Sequence, residues 1–416
     1  MSANPFAAPE YSAMQRWANS LFNLFASFAI AAITSILLIM SILLEALNPA
    51  RLGALLIVLI GLHLLKRPRL FFCRELGLYA LFAGYMVVSL LWTNDVVLGT
   101  NSVLPTLDCV LIMILVGSLA TYHNLRAVLG GMLAGFLLCA LYYDATSGFP
   151  FSKPDDFNYG AIAGMFLFGL YITLAFGWAT HRRLVPLVLA LVLMVHIAAT
   201  TSIKTNLGVV LGAFASLLIY FKQFMKLVRR NAIALVIVAG VLAYVIVTNK
   251  TFIETVGAGL DRVGSGATVL MARQDDQSRT NKQLGARKNW GTEGIAGWEE
   301  NPLFGHGVEA FRDDFGVTSH STPIDLLYNA GLIGLLLFYS VFVSILWQLH
   351  QARKLQLGNL RSLLLATLVC YAFISLSGTM HYSFHQAVFF GLSGALLRRR
   401  RLTRRRSALP IAAALT

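Results

Sequence analysis

The chain has 416 residues, 57% of them hydrophobic and 12% charged, against about a quarter charged in ordinary soluble domains. That balance excludes a soluble enzyme. The net charge of +14 would raise nucleic acid as a partner for a soluble protein, but here the basic residues lie between apolar blocks and read as topology markers, so no nucleic-acid partner is expected.

The apolar residues fall into about twelve blocks, most of them long enough to cross a bilayer core of about 30 Å. In chain order they predict spans at 22–44, 52–65, 76–92, 103–120, 125–143, 158–179, 184–201, 206–221, 231–248, 322–349, 359–378 and 384–397. The first is too long for a cleaved signal peptide and lacks a small-residue cleavage site, so it stays as a span. Cys73, Cys109, Cys139 and Cys370 lie in or beside these blocks without paired spacing and indicate neither a disulfide nor a zinc site. Among acids inside the blocks, Asp108 is the one of note.

With the N-terminus placed in the cytoplasm, twenty-two basic residues fall in inside segments and three, Arg51, Lys153 and Lys204, in short outside loops. This is the asymmetry of the positive-inside rule. Both termini are then cytoplasmic. Four regions follow: nine spans over 1–248, a large outer loop over 249–321, three spans over 322–397, and a basic tail over 398–416 whose arginines, Arg398 to Arg406, suit anionic lipid.

The outer loop mixes eight basic and ten acidic residues, as a folded, partly helical cap would. In it, Arg287 and Trp290 lead through Trp298 to Asn301-Pro302-Leu303-Phe304-Gly305-His306-Gly307, where Asn-Pro and two glycines predict a tight turn. His320 then stands at the outer threshold of the next span, which contains Gly331-Leu332-Ile333-Gly334.

These pieces, in this order over about residues 190–345, resemble the O-antigen ligases and Wzy-type repeat-unit polymerases. The resemblance implies a twelve-span bacterial inner-membrane protein with a GT-C-like helical fold and a large periplasmic loop. It implies transfer of a glycan from an undecaprenyl-diphosphate carrier to an acceptor sugar, either a lipid-linked repeat or a lipid A core, with no metal or other cofactor. It also implies that His320 is the catalytic histidine and Arg287 the loop arginine that holds the diphosphate. Ser202-Ile203-Lys204-Thr205 occupies the place of a family Ser-Arg pair. Lysine replaces arginine there with one residue inserted, and Ser321 stands where the family often has asparagine.

The residue types fit that chemistry. Departure from a lipid diphosphate needs positive charge on the leaving group and a base for the attacking hydroxyl. Arginine can grip two phosphate oxygens and lysine offers a point charge, while histidine, with an ordinary pKa of about 6.5, can accept a proton at neutral pH. For His320 the plainer reading is a residue capping the span, and for Lys204 it is an interfacial lysine that reaches from a span end to the headgroups. Arg279 rivals Arg287 in the same loop; Trp290 favours Arg287.

His381 and His385 have helical i, i+4 spacing in the last outside turn. Without an accompanying carboxylate or cysteine they are expected to line a sugar or lipid cleft rather than bind zinc. His306 reads as a turn residue and His196 as a buried, hydrogen-bonded core histidine. Asp155-Asp156, Asp275-Asp276 and Asp313-Asp314 read as solvated loop acids, and Gly264-Ser265-Gly266 and Gly305-His306-Gly307 follow no βαβ strand and suggest no dinucleotide site. The competing class is a transporter or flippase for lipid-linked glycan, which would show paired halves with interrupted helices.

Overall fold

The computed structural model describes residues 13–43, 48–147, 159–181, 184–200, 202, 205–215, 240, 291, 293–351, 359–376 and 378–413. Among the described residues the chain is helical, with no strand. The helices are α1 (Ala13–Leu43), α2 (Pro49–Lys66), α3 (Arg74–Val88, continued by a 3-10 turn at Ser89–Leu91), α4 (Val96–Tyr122), α5 (Leu125–Ser147), α6 (Tyr159–Thr180) and α7 (Leu184–Ala199). They continue as α8 (Thr205–Ala215), α9 (293–300), α10 (Ala310–Phe315), α11 (Thr322–Gln351), α12 (Asn359–Leu376) and α13 (Phe384–Ala413). Seven of them are long and apolar enough to cross a membrane, and α7, α8 and α12 contain shorter apolar stretches. This is a polytopic helical membrane protein. The predicted ninth span, 231–248, lies outside the described residues except for residue 240, as do residues 249–290 of the expected outer loop.

Local chemistry sets the helix starts. The Asn48 side chain accepts the Arg51 N–H and Pro49 opens α2, which joins an N-cap to the residue best suited to the first turn. The Asp95 carboxylate accepts the Leu98 N–H at 2.9 Å, so α4 begins at Val96, seven residues ahead of the predicted 103. At the other extreme α13 does not stop at 397 but runs through the arginine run. Arginine is a good helix former, so charge ends the apolar stretch without ending the helix.

Side-chain bonds sort the bundle into two ends. At one, Arg126 Nε donates to the Ala179 carbonyl, Arg398 to that of Phe72 and Arg399 to that of Ala120, which gathers the ends of α4 and α6 with the starts of α3 and α5. This is the basic end. At the other, Thr93 Oγ1 donates to the Val308 carbonyl, Thr322 Oγ1 to that of Gly378, and the Tyr79 hydroxyl to that of His381. His320 belongs to this second end.

Asp108 is not the one acid of note within the helices. Asp325, in the first turn of α11, is 4% exposed, and Glu75, in the first turn of α3, is buried and accepts the Ser344 hydroxyl and the Gln348 amide. Asp144, near the end of α5, meets His196 at 3.1 Å. These acids are tolerated because the bundle supplies polar partners where lipid could not. His196 is accordingly hydrogen-bonded, to Asp144 and to the Val192 carbonyl, though half-buried rather than buried.

The decisive departure from a plain bundle is in α11. Gly331 has φ 62° and ψ −167°, so the helix is broken roughly 14 Å from its start. A break exposes backbone groups that lipid cannot satisfy. The turn 301–307 satisfies them instead: the Leu332 and Ile333 N–H groups donate to the Pro302 and Leu303 carbonyls, and the His306 and Gly307 N–H groups donate to the Tyr328 and Asn329 carbonyls. The Ala330 carbonyl accepts the Tyr85 hydroxyl at 2.9 Å. Backbone packs on backbone here, and a Cβ at Gly305 would lie 2.6 Å from the Asn329 carbonyl carbon and from the Gly331 nitrogen.

Gly305 also has φ 68°, where a side chain costs about 1–2 kcal/mol before any overlap is counted. Gly305→Ala should therefore lower the thermal midpoint of the purified protein markedly, by the equivalent of about 2 kcal/mol or more. Gly61→Ala, where an added Cβ meets nothing within 4 Å, should leave the midpoint unchanged. Equal behaviour of the two variants in a detergent melting series would show that the turn does not hold the broken helix.

Candidate functional site

His320 stands immediately before α11. The first bond of the helix runs from the Asp325 N–H to the Ser321 carbonyl, so Ser321 marks the boundary and His320 lies one residue outside it. His320 is half-buried with φ 55°, in the left-handed region that a histidine enters at a cost. The segment around it is pinned: Ser319 Oγ lies 2.9 Å from the Ser321 carbonyl and 3.2 Å from Asp325 Oδ1, while Thr322 Oγ1 donates to the Gly378 carbonyl and accepts the Met380 N–H. A strained histidine held on both sides is positioned, not loose.

A buried polar cluster lies at the same end. Glu309, 6% exposed and itself left-handed at φ 62°, accepts the Ser102 hydroxyl and lies 4.0 Å from Arg312. Asp325 Oδ2 lies 3.7 Å from His381 Nδ1. Burial draws the His381 imidazole down to about 3, so at neutral pH this approach is not an ion pair. Burial first, then the Asp325 and Glu309 carboxylates, push the Tyr382 phenol above its ordinary range, and Arg312 acts the other way. Residues from α4, α10, α11 and the turn before α13 thus share one electrostatic neighbourhood.

Sequence reasoning missed Glu309, Asp325, Ser102 and Tyr382 as members of this neighbourhood. A signal existed for one of them: Asp325 is an acid inside a predicted apolar span, five residues after His320. For Glu309 there was none, because a glutamate in a polar loop looks solvated until the fold places it against α4.

The helical spacing expected of the last histidine pair is corrected. His381 lies in the turn ahead of α13, which begins only at Phe384, so the spacing to His385 is not helical. His381 is 2% exposed among Phe82, Phe338 and Tyr382. His385 is half-buried, stacks on Tyr371 and bonds Ser383 at 2.8 Å. His306 holds its turn: its ring stacks on Tyr328 and its Nε2 meets the Gly297 carbonyl at 2.8 Å, tying α9 to α11. Asp313 and Asp314 are exposed as expected, with Asp314 also accepting the Tyr328 hydroxyl at 2.5 Å. No group of three or more metal-ligating side chains occurs among the described residues.

Lys204, Arg279, Arg287 and Trp290 lie outside the described residues, as do Asp155-Asp156, Asp275-Asp276 and Gly264-Ser265-Gly266. The surroundings of Lys204 in the chain are partly described. Ser202 and Thr205 are buried with their hydroxyls 3.1 Å apart, and Gly208 of α8 packs on Cys370 and Ile374, near the end of α12 that meets Thr322. The start of α8 is therefore at the His320 end.

Residues 187–339 match the Wzy_C family, described as O-antigen ligase. Over that stretch the chain is similar to the O-antigen ligases. The match covers rather more than a third of the chain and takes in most of α7, α8, the turn 301–307, His320 and the break in α11. A comparison with curated proteins finds no match.

The buried imidazole gives a pH test. The unfolded chain takes up a proton at His381 near pH 6.5, whereas the folded protein does so only near pH 3. The unfolded state binds more protons between those values, so stability is full above about pH 6.5 and falls as the pH is lowered toward 3. The thermal midpoint should drop on going from pH 7 to pH 5, and His381→Phe should flatten that drop. An identical slope in the two proteins would contradict a neutral, buried His381.

Proposed function

We propose that the protein transfers a glycan from an undecaprenyl-diphosphate carrier to an acceptor sugar at the periplasmic face, as an O-antigen or exopolysaccharide repeat-unit polymerase or an O-antigen ligase. The observation that carries this reading is the O-antigen ligase match over residues 187–339, which contains His320, Lys204, Arg279 and Arg287 in one stretch. The full reading includes twelve spans, both termini in the cytoplasm of an inner-membrane protein and residues 249–321 as a periplasmic cap.

In this mechanism His320 takes the proton from the acceptor hydroxyl as that oxygen attacks the anomeric carbon in a single, inverting displacement, without a metal. The undecaprenyl diphosphate leaves, its charge held by Arg287 with Lys204 assisting and Arg279 as the alternative loop arginine. Support comes from the left-handed backbone that fixes His320 and from the placement of α8 beside the end of α12. A held base needs no further ordering when the acceptor arrives, and a positioned general base typically contributes 10²–10⁴-fold.

The broken α11 bears on the competing class. Carriers use interrupted helices to bind substrate with free backbone groups. The groups freed at Gly331 are already bonded to the turn 301–307 and to Tyr85, which supports a rigid scaffold over a transport site.

The test is a deletion strain complemented with wild-type protein or variants. Lipid-linked single repeats accumulating in the deletion identify a lost polymerase, and full-length chains stranded on the carrier a lost ligase. His320→Ala, inserted at wild-type level, should lower transfer by about 10²-fold or more. Lys204→Arg should retain more transfer than Lys204→Gln. Full transfer by the His320→Ala protein would overturn the assignment.

A further inference from the structure

The basic end holds a second polar concavity that the transfer chemistry does not use. A cavity of about 440 Å³ opens between α1, the C-terminal ends of α2 and α4 and the start of α5, and its walls include Asn23, Ser27, Lys66, Arg67, His123 and Asn124. No carboxylate is among its described lining residues.

Lys66 is the residue that requires a partner. Its ammonium nitrogen is shielded from solvent, lies 4.1 Å from the centre of the Phe22 ring, and has no hydrogen-bond acceptor among the described residues. A cation–π contact returns less than a desolvated ammonium loses with its donors unmet. The nearby helix-end carbonyls are engaged: His63 accepts from the Arg67 N–H, Leu119 from the His123 N–H and Ala120 from Arg399.

The floor of the cavity supplies no negative charge either. Ser27 Oγ lies 2.6 Å from His123 Nδ1, His123 Nε2 lies 2.9 Å from His63 Nδ1, and His63 Nε2 lies 3.0 Å from the Arg69 carbonyl. The Arg69 carbonyl can only accept, so the rings donate toward it, His123 Nε2 to His63 and His63 Nε2 to Arg69, while the one Ser27 hydroxyl proton is shared between His123 Nδ1 and the Asn23 carbonyl, also 2.6 Å away. Burial above all pulls the His123 imidazole down to about 4, and the positive field of Arg67 and Lys66 acts in the same direction. The start of α5 adds to that field, and Asn124, whose carbonyl oxygen takes the Arg126 and Ala127 N–H groups, keeps its amide N–H₂ as a donor.

We propose that this cavity binds a phosphate-bearing anion, with Lys66 and Arg67 as its cationic ligands and Asn124 as a neutral donor. Lys66 is the last residue of α2, where a span meets the headgroup layer, so the phosphate can come from a lipid headgroup or from solution. Basic pockets between helices at such a depth suit anionic lipid headgroups. The site is separate from the His320 end and does not depend on the transfer reading.

The experiment uses the full chain, delipidated in a neutral detergent, with binding followed by native mass spectrometry and thermal shift. The probes are phosphatidylglycerol, inorganic phosphate and, as zwitterionic control, phosphatidylcholine. Wild-type protein should bind phosphatidylglycerol, inorganic phosphate or both in preference to phosphatidylcholine and melt at higher temperature with the bound probe. Binding of phosphatidylglycerol alone identifies a lipid headgroup, and binding of inorganic phosphate identifies a site open to solution. Lys66→Gln with Arg67→Gln should weaken that binding about tenfold or more, and Lys66→Arg should keep it. Wild-type protein with no preference for either anion would overturn the proposal even if the double variant fails to fold, and so would a folded double variant that binds as wild type does.

Discussion

The break at Gly331 is the constraint on which the rest of this end of the protein depends. A helix interrupted inside a membrane protein must return its freed backbone groups to protein, because the hydrocarbon offers nothing. Here the donors and acceptors of residues 328–333 are met by the turn 301–307 and by one tyrosine. The exchange holds only while Gly305 and Gly331 lack side chains, since their backbones are in direct contact. The same bonds that repair the helix therefore fasten the segment 301–307 to it, and they carry Glu309, two residues past the turn and the N-cap of α10, to its place against Ser102.

That fastening accounts for the polar cluster. Two carboxylates, a buried imidazole, a phenol and an arginine from α10 with its cap, α11 and the turn before α13 come together with a hydroxyl from α4 at the end of the bundle where α11 begins. Each is unfavourable alone in a low-dielectric setting, and together they are tolerable because hydroxyls and opposite charge share the load. His320 sits at the edge of this group in a backbone conformation that its surroundings impose. The opposite end is organised by the reverse logic: arginines bond helix-end carbonyls there, and the surplus positive charge collects around a cavity with no acid in its described walls.

Much of the architecture was legible because hydrophobic length is a local property. The predicted spans at 125–143, 158–179 and 322–349 differ from α5, α6 and α11 by at most four residues at either end. The errors fell where a cap or a strong helix former overrides hydropathy, at Asp95 and in the arginine run after Leu397. The turn 301–307 was expected from its Asn-Pro and glycines, but its partner was not, since nothing in the sequence says that a turn will replace the bonds of a helix two dozen residues on.

By itself the sequence determined the class of protein, the places of most of its described helices and the ordered set of residues that resembles the O-antigen ligases, because apolar run length, charge placement and turn chemistry are written in neighbouring residues. Only the tertiary structure decided that α11 is broken and repaired, that Glu309 and Asp325 belong with His381, that His381 is sealed away, and that Lys66 lines a cavity with no acceptor for it among the described residues. Each of those depends on which distant backbone or side chain fills the space beside a residue. That is fixed by packing across the bundle and not by any local pattern.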